Sequence, residues 1–257
     1  MDKATPLRTP QELMMMREAG RIVARVLEAM KQLVAPGVTT LELDAAAEDI
    51  IRSHGASPAF KGYRAHGRPP FPGTICASVN DAVVHGIPDD RELHDGEIVS
   101  VDVGCEYQGF YGDTALTLPV GRVSKEATNL MQVCAEALDR AIDQVKPGNA
   151  LSTIGQTVQE HVEANGFAVV RDFVGHGIGT QMHQPPEVPN YATQRTSDII
   201  MQPGLVLAIE PMINAGRYAV RVDPDLWTVR TADGSLSAHF EHSIAVTPDG
   251  HQVLTLP

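Results

Sequence analysis

A chain of 257 residues with 43% hydrophobic and 20% charged side chains has a globular balance and enough apolar material for a sizeable core. Its net charge of −12 argues against a nucleic-acid surface, and no apolar run is long enough to span a bilayer or act as a secretory signal. Three cysteines, Cys76, Cys105 and Cys134, without C-x-x-C spacing point to a reducing cytoplasm rather than a disulfide framework or zinc ribbon.

Residues 1–10 carry two prolines and no periodicity, and are expected to form a short arm ahead of a domain spanning 11–257. Leu13, Met16, Ile22, Val23, Val26, Leu27 and Met30 recur at helical spacing over 11–33, and Pro36-Gly37 ends that run. The Met14-Met15-Met16 cluster is assigned to helix packing. A second helix is expected from a Thr39 or Thr40 cap to His54, where Gly55 stops it. Residues 56–74, rich in proline and glycine, read as irregular, and strands follow at 75–79 and 97–118. Ser124 caps a helix running to Pro147-Gly148, another covers about 151–164, and β-runs follow at 168–171, 205–213, 226–231 and 238–247. Strands and helices mixed without regular alternation favour an α+β fold.

The stretch Ile98–Leu118 holds the first chemical signal. Ile98, Ser100 and Asp102 fall on one face of a strand and Val99, Val101 and Val103 on the other, with Gln108-Gly109 as the turn signal. A loop centred on Tyr107 and Gln108 would put Asp102 directly opposite Asp113, with Cβ atoms roughly 4.5–5.5 Å apart. Carboxylates held that close among apolar strands either share a proton or hold a cation.

An internal repeat extends this pattern. A-P-G-V-T-T-L-E-L ending at Leu43 reappears, offset by 111, as K-P-G-N-A-L-S-T-I ending at Ile154, and His54-Gly55 recurs at Asn165-Gly166. D-G-E-I-V-S-V-D from Asp95 matches P-G-L-V-L-A-I-E from Pro203, which places Asp102 on Glu210. Asp113 finds its counterpart in Glu241, and His85-Gly86-Ile87 in His176-Gly177-Ile178. The chain therefore reads as two related halves, about 11–121 and 122–257, whose acids converge near a pseudo-twofold axis. Asp102, Asp113, Glu210 and Glu241 with histidine form a ligand set whose four negative charges match two divalent cations. Oxygen-rich ligation with one imidazole suits Mn, Fe(II), Co or Zn, and two such ions can activate water for metal-assisted hydrolysis.

The ordered motifs H-G-I-P at 85–88, D-V-G at 102–104, G-H-G-I-G at 175–179, E-P-M at 210–212 and S-L-S-A-H-F-E-H-S at 235–243 resemble the bacterial, type I methionine aminopeptidases of the M24 metallopeptidases. The resemblance covers the chain from about Thr9 onward. It implies the pita-bread fold, a pseudo-symmetric α+β single domain with a dinuclear metal site in its central cleft. Residues matching Asp113 and Glu241 would bridge the metals, that matching Asp102 would chelate one, and those matching His176 and Glu210 would bind the other. The implied reaction removes the initiator methionine from nascent peptides with a small second residue, using a bridging hydroxide. Glu210 would serve as general base, and His183 and His85 would donate to the scissile amide and the developing oxyanion. By the same small-second-residue rule, a chain with Asp2 is expected to keep its own Met1. The methionine pocket would be lined by Phe60, Tyr63, Phe71, Cys76, Met182 and Trp227, polarizable walls suited to a thioether. Backbone oxygens of Asn80, Val79 and Ser237 match a monovalent-cation seat. His239, where glutamine is common, is either a surface imidazole or a substrate contact. Arg64 to Pro70 make the loop after Tyr63 about five residues longer than the family pattern, which leaves the pocket entrance open to change. A cytoplasmic monomer, with nascent peptides and the ribosome as partners, completes the expectation. The rival is an Xaa-Pro aminopeptidase or dipeptidase on the same fold, which usually carries an additional N-terminal domain.

Overall fold

Two threonines open the first half with the same device. Thr9 accepts from the Glu12 amide while the Glu12 carboxylate accepts from the Thr9 amide, a capping box that starts helix α1 (Pro10–Leu33). Thr39 and Glu42 repeat it for α2 (Thr40–Ser53), which ends at His54 and Gly55, where φ is +72°. The computed structural model describes residues 6–65, 67–196 and 199–257, so Met1 to Thr5 of the expected arm lie outside the described residues.

Five strands follow: β1 (Ser57–Pro58), β2 (Ile75–Val79), β3 (Ala82–Val84), β4 (Ile98–Tyr107) and β5 (Phe110–Pro119). Helices α3 (Lys125–Ile142) and α4 (Ser152–Ala164) open the second half. Next come β6 (Ala168–Val169), β7 (Gly175–Gly177), β8 (Gln184–Val188), β9 (Val206–Ile209) and β10 (Met212–Asn214). The chain ends through β11 (Val220–Val222), β12 (Val229–Thr231), β13 (Ser237–His239), β14 (His242–Thr247) and β15 (Gly250–Val253). In the first half β4 is flanked by β2 and β5, with short β1 also pairing to it. In the second half β9 lies between β14 and β7 in the order β15-β14-β9-β7-β8.

The repeat read from sequence reappears in packing. Leu43, Ala47 and Ile51 on α2 and their offset partners Ile154, Val158 and Val162 on α4 are all fully buried. One core packs α1 and α2 on Val99, Val101 and Val103 of β4; the other packs α3 and α4 on Leu207 and Ile209 of β9. Each such aliphatic side chain contributes about 1.5–3 kcal/mol of transfer free energy. The valine face of β4 is thus spent on the helices, which leaves Asp102 on the opposite face.

Several boundaries differ from the sequence expectation. α3 ends at Ile142 rather than near Pro147, because the following amides form tighter turns (Gln144 to Ala141, Val145 to Ile142) ahead of a proline that disfavours helical geometry before it. The run at 205–213 divides into β9 and β10 at Glu210-Pro211, where proline offers no N–H to a ladder. The run at 238–247 divides at Phe240-Glu241. Both breaks carry an acid of the ligand set. Of the methionine cluster, Met16 is buried, but Met14 is exposed.

The β4–β5 register also corrects the sequence reading. The turn is a two-residue link at Gln108 (φ +52°) and Gly109 (φ +85°), so Tyr107 pairs with Phe110. Asp102 therefore faces Ala115, and Asp113 faces Gly104. The slip is two residues, and side chains alternate with period two, so both aspartates stay on one face as diagonal rather than direct neighbours.

Helix α1 crosses β5 at backbone distance. A Cβ built on Gly112 would lie 2.7 Å from Ala19 C and from Gly20 N, neither of which can rotate away. Gly112→Ala is expected to cost about 1–3 kcal/mol through overpacking. A urea midpoint unchanged from wild type would refute this contact.

Candidate active site

The five predicted ligands come from both halves. Asp102 leaves β4, Asp113 leaves β5, His176 leaves β7, Glu210 follows β9, and Glu241 sits between β13 and β14. The halves are joined at this point by a paired bridge, with Glu241 N donating to Ala115 O (2.9 Å) and Ala115 N to Glu241 O (3.3 Å). Thr114 Oγ1 also donates to Glu241 O at 2.7 Å. Ser243 Oγ donates to Asp113 O (2.8 Å) and accepts from Asp113 N (3.2 Å), which fixes the backbone of that residue from behind.

The side chains converge. His176 Nε2 lies 3.6 Å from Asp113 Oδ2 and 3.5 Å from Glu210 Oε1. One ligand atom each from Asp113, His176 and Glu241 falls within 4.8 Å of the others. His176 Nδ1 meets Gly177 O at 3.0 Å, and since a carbonyl only accepts, the ring proton is assigned to Nδ1. The Nε2 lone pair is then aimed at carboxylate oxygens, an arrangement of electron-rich atoms that a cation relieves. Burial pushes Asp113 up to about 8. Asp102, Glu210 and Glu241 are held well above the usual carboxylate range by burial first and then by the neighbouring acids. Burial lowers His176 to about 4. Asp102 Oδ1, Asp113 Oδ1 and Glu241 Oε1 are buried without a hydrogen-bond partner, a costly state for an acceptor. Orphaned oxygens, mutual repulsion and one unprotonated imidazole nitrogen fit a divalent-metal site.

These ligands form one end of a cleft of about 210 Å³. Phe60, Tyr63, Phe71, Cys76 and Trp227 line it. Met182 does not; its Cε packs 2.8 Å from where a Cβ on Gly104 would lie, behind the wall. Ala65 and Arg68, from the 64–70 loop, line the cleft as well, and His66 lies outside the described residues. His85, with φ +59°, stands edge-on to Phe173 (5.5 Å) and Trp227 (6.1 Å). Burial, then the charges of Arg68 and His183, lower it to about 4, so it is neutral at pH 7. His183 is at the rim, with its open side to solvent; its Nδ1 meets Tyr63 Oη at 3.0 Å and its ring lies 4.3 Å from that of His176. The enclosed side and His176 lower its pKa. His239 is not a surface imidazole: it is 1% exposed, and its Nε2 lies 3.7 Å from Glu210 Oε2. Asn80 and Ser237 are brought together, with Ser237 N donating to Asn80 O at 2.9 Å.

The chain matches metallopeptidase family M24 over residues 14–248. It is 47% identical to methionine aminopeptidase 1 of Bacillus subtilis over 96% of this chain and 98% of that protein. The chain belongs to family M24. Among M24 structures, methionine aminopeptidase from Rickettsia prowazekii superposes with a TM-score of 0.94 at 40% identity, covering 98% of this chain and 100% of that one. Prolidase from Pyrococcus furiosus gives 0.76 at 22% identity and is covered over only 66% of its length, a likeness of fold alone. The pita-bread architecture is thus common to both groups, and identity separates them in favour of the methionine aminopeptidases. Arg68 and the supports Thr114 and Ser243 were not assigned site roles by sequence reasoning, and of the two readings open for His239 the surface one is excluded by its burial. Thr114 and Ser243 stand one and two residues after a ligand, a proximity that could have flagged them.

Proposed function

We infer that this M24 enzyme is a methionyl aminopeptidase that hydrolytically removes N-terminal methionine from peptides. The observation that carries the reading is the opening of a buried acid–imidazole cluster straight into an aromatic and thiol-walled pocket. Such a pocket suits a thioether, and the cluster suits hydrolysis at the adjoining carbonyl. Asp102, Asp113, His176, Glu210 and Glu241 are the assigned ligands of two divalent ions drawn from Co, Mn, Fe(II) and Zn. When bound, these ions supply a hydroxide at neutral pH and balance the four carboxylate charges.

The chain's own residues do the rest. Glu210 is positioned to take a proton and return it to the leaving amine, with His176 and His239 both within 3.7 Å of its oxygens. His85, neutral at pH 7, lines the cleft as an N–H donor, and His183, oriented by Tyr63, is the second imidazole of that lining assigned to the same task. Phe60, Tyr63, Phe71, Cys76 and Trp227 hold the methionine side chain and exclude water. We assign residues 11–257 to one catalytic domain of two related halves, acting as a monomer on nascent chains that reach it with a free amine and a small second residue. Among the described residues no helix is long and apolar enough to cross a membrane.

Metal-stripped enzyme re-supplied singly with Mn, Co, Fe(II) or Zn tests the reading on Met-Ala-Ser and Ala-Pro-Ala. Metal-dependent release of methionine alone is expected. Release of alanine from the proline peptide would move the substrate class to the Xaa-Pro enzymes.

A further inference from the structure

The loop of residues 64–70 borders the cleft and is tied down at its described positions. Phe71 N donates to Tyr63 O (2.9 Å) and Gly62 N to Phe71 O (2.8 Å), which closes its base. Arg68 N donates to Ala65 O (3.1 Å), and the indole Nε1 of Trp227 donates to Pro69 O (3.0 Å). The result sets the Arg68 guanidinium 5.2 Å over the Trp227 ring, inside the cleft. Its stacked face is taken, but its edge donors have no carboxylate partner among the described residues. A guanidinium fixed on an indole and free at its edge is a carboxylate receptor in geometry and charge.

We propose that Arg68 is a specificity-determining residue that binds an acidic side chain at the third position of the substrate peptide. The inference rests on the aminopeptidase reading above. In an extended chain, residues one and three point to the same face, about 6.6 Å apart along the backbone. The methionine side chain enters a pocket walled by Trp227, so the third side chain faces the same wall, where Arg68 caps it. The second side chain faces away. Distances agree: His85 and Arg68 both pack on the Trp227 ring, at 6.1 Å and 5.2 Å, so the indole links the imidazole assigned to the reacting carbonyl's surroundings with the guanidinium by contact distance alone. With the four cleft carboxylates balanced by metal, Arg68 lines the cleft as a cation with no ion pair among the described residues.

The test compares Met-Ala-Glu-Ser with its neutral isostere Met-Ala-Gln-Ser on the metal-loaded enzyme. The glutamate peptide is expected to have the higher kcat/KM by about five- to tenfold, carried by KM because the contact is remote from bond breaking. Arg68→Met should bring the ratio of the two peptides to near one, Arg68→Lys should restore part of it, and 0.5 M salt should shrink it in the wild type. Equal kcat/KM in the wild type, or an unchanged ratio in Arg68→Met, overturns the assignment while leaving the aminopeptidase reading intact. Release of methionine from neither peptide overturns both.

Discussion

Glu210→Gln is expected to fold normally and to lower turnover by about 10²–10⁴-fold, the scale of a lost general acid–base group. Gln matches Glu in shape, and the backbone contact at this position, Asn190 Nδ2 to Glu210 O at 3.0 Å, does not involve the side chain. What changes is the proton. A carboxylate enclosed with three other acids and flanked by His176 and His239 can hold a proton between steps, whereas a carboxamide cannot. The loss should fall on kcat with little change in KM, since the group acts on the reacting proton rather than on the methionine side chain. Single-turnover kinetics with Met-Ala-Ser, at metal concentrations high enough to saturate the variant, separates lost proton transfer from lost metal. Near wild-type turnover in that variant would remove Glu210 from the catalytic role.

The reason Glu210 could be found in the sequence is instructive, because its surroundings could not. Strand patterning placed the valines of β4 on the helix side and Asp102 on the other, a consequence of period two that holds whatever the exact register. The same parity rescued a wrong register: the Gln108-Gly109 turn moved the pairing by two, and Asp102 and Asp113 kept a common face. The repeat offset found Glu210 and Ile154 because duplicated halves bury equivalent positions. Short strands such as β7 and β11 were invisible because three residues carry no period, and the strand breaks at Glu210 and Glu241 interrupt runs that look continuous in composition. The burial of His239 and the stacking of Arg68 depend on which distant segments close over them, Thr117 and Trp227 respectively. No local pattern encodes that.

Removing divalent metal is expected to leave a protein whose stability falls as pH rises from 7 to 9. Asp113 in the folded chain titrates at about 8, against roughly 3.9 for an unperturbed aspartate, and Asp102, Glu210 and Glu241 are raised as well. A group whose folded pKa is raised favours the folded state fully below its unfolded pKa, and that contribution is lost as pH climbs through the folded value. The buried histidines work the other way. His85 and His176 are lowered to about 4 and His239 to about 3, so their contribution is present above roughly 6.5 and fades only on acidification. Between pH 7 and 9 the histidines are therefore silent and the acids set most of the slope, with the buried thiols Cys76, Cys105 and Cys134, also raised by burial, adding to it near pH 9. Adding a divalent ion at about 100 times its dissociation constant should recover about 2.7 kcal/mol and remove most of that slope, because the cation replaces the protons. Asp113→Asn should reduce the metal-free slope, the other three acids keeping the rest of it, while abolishing peptide hydrolysis, a pairing of gain and loss that a merely structural aspartate would not produce. Thermal melts of stripped and re-loaded protein across this pH range measure both. A metal-free melting temperature that rises toward pH 9 would mean that the acids are not confined together as the geometry places them.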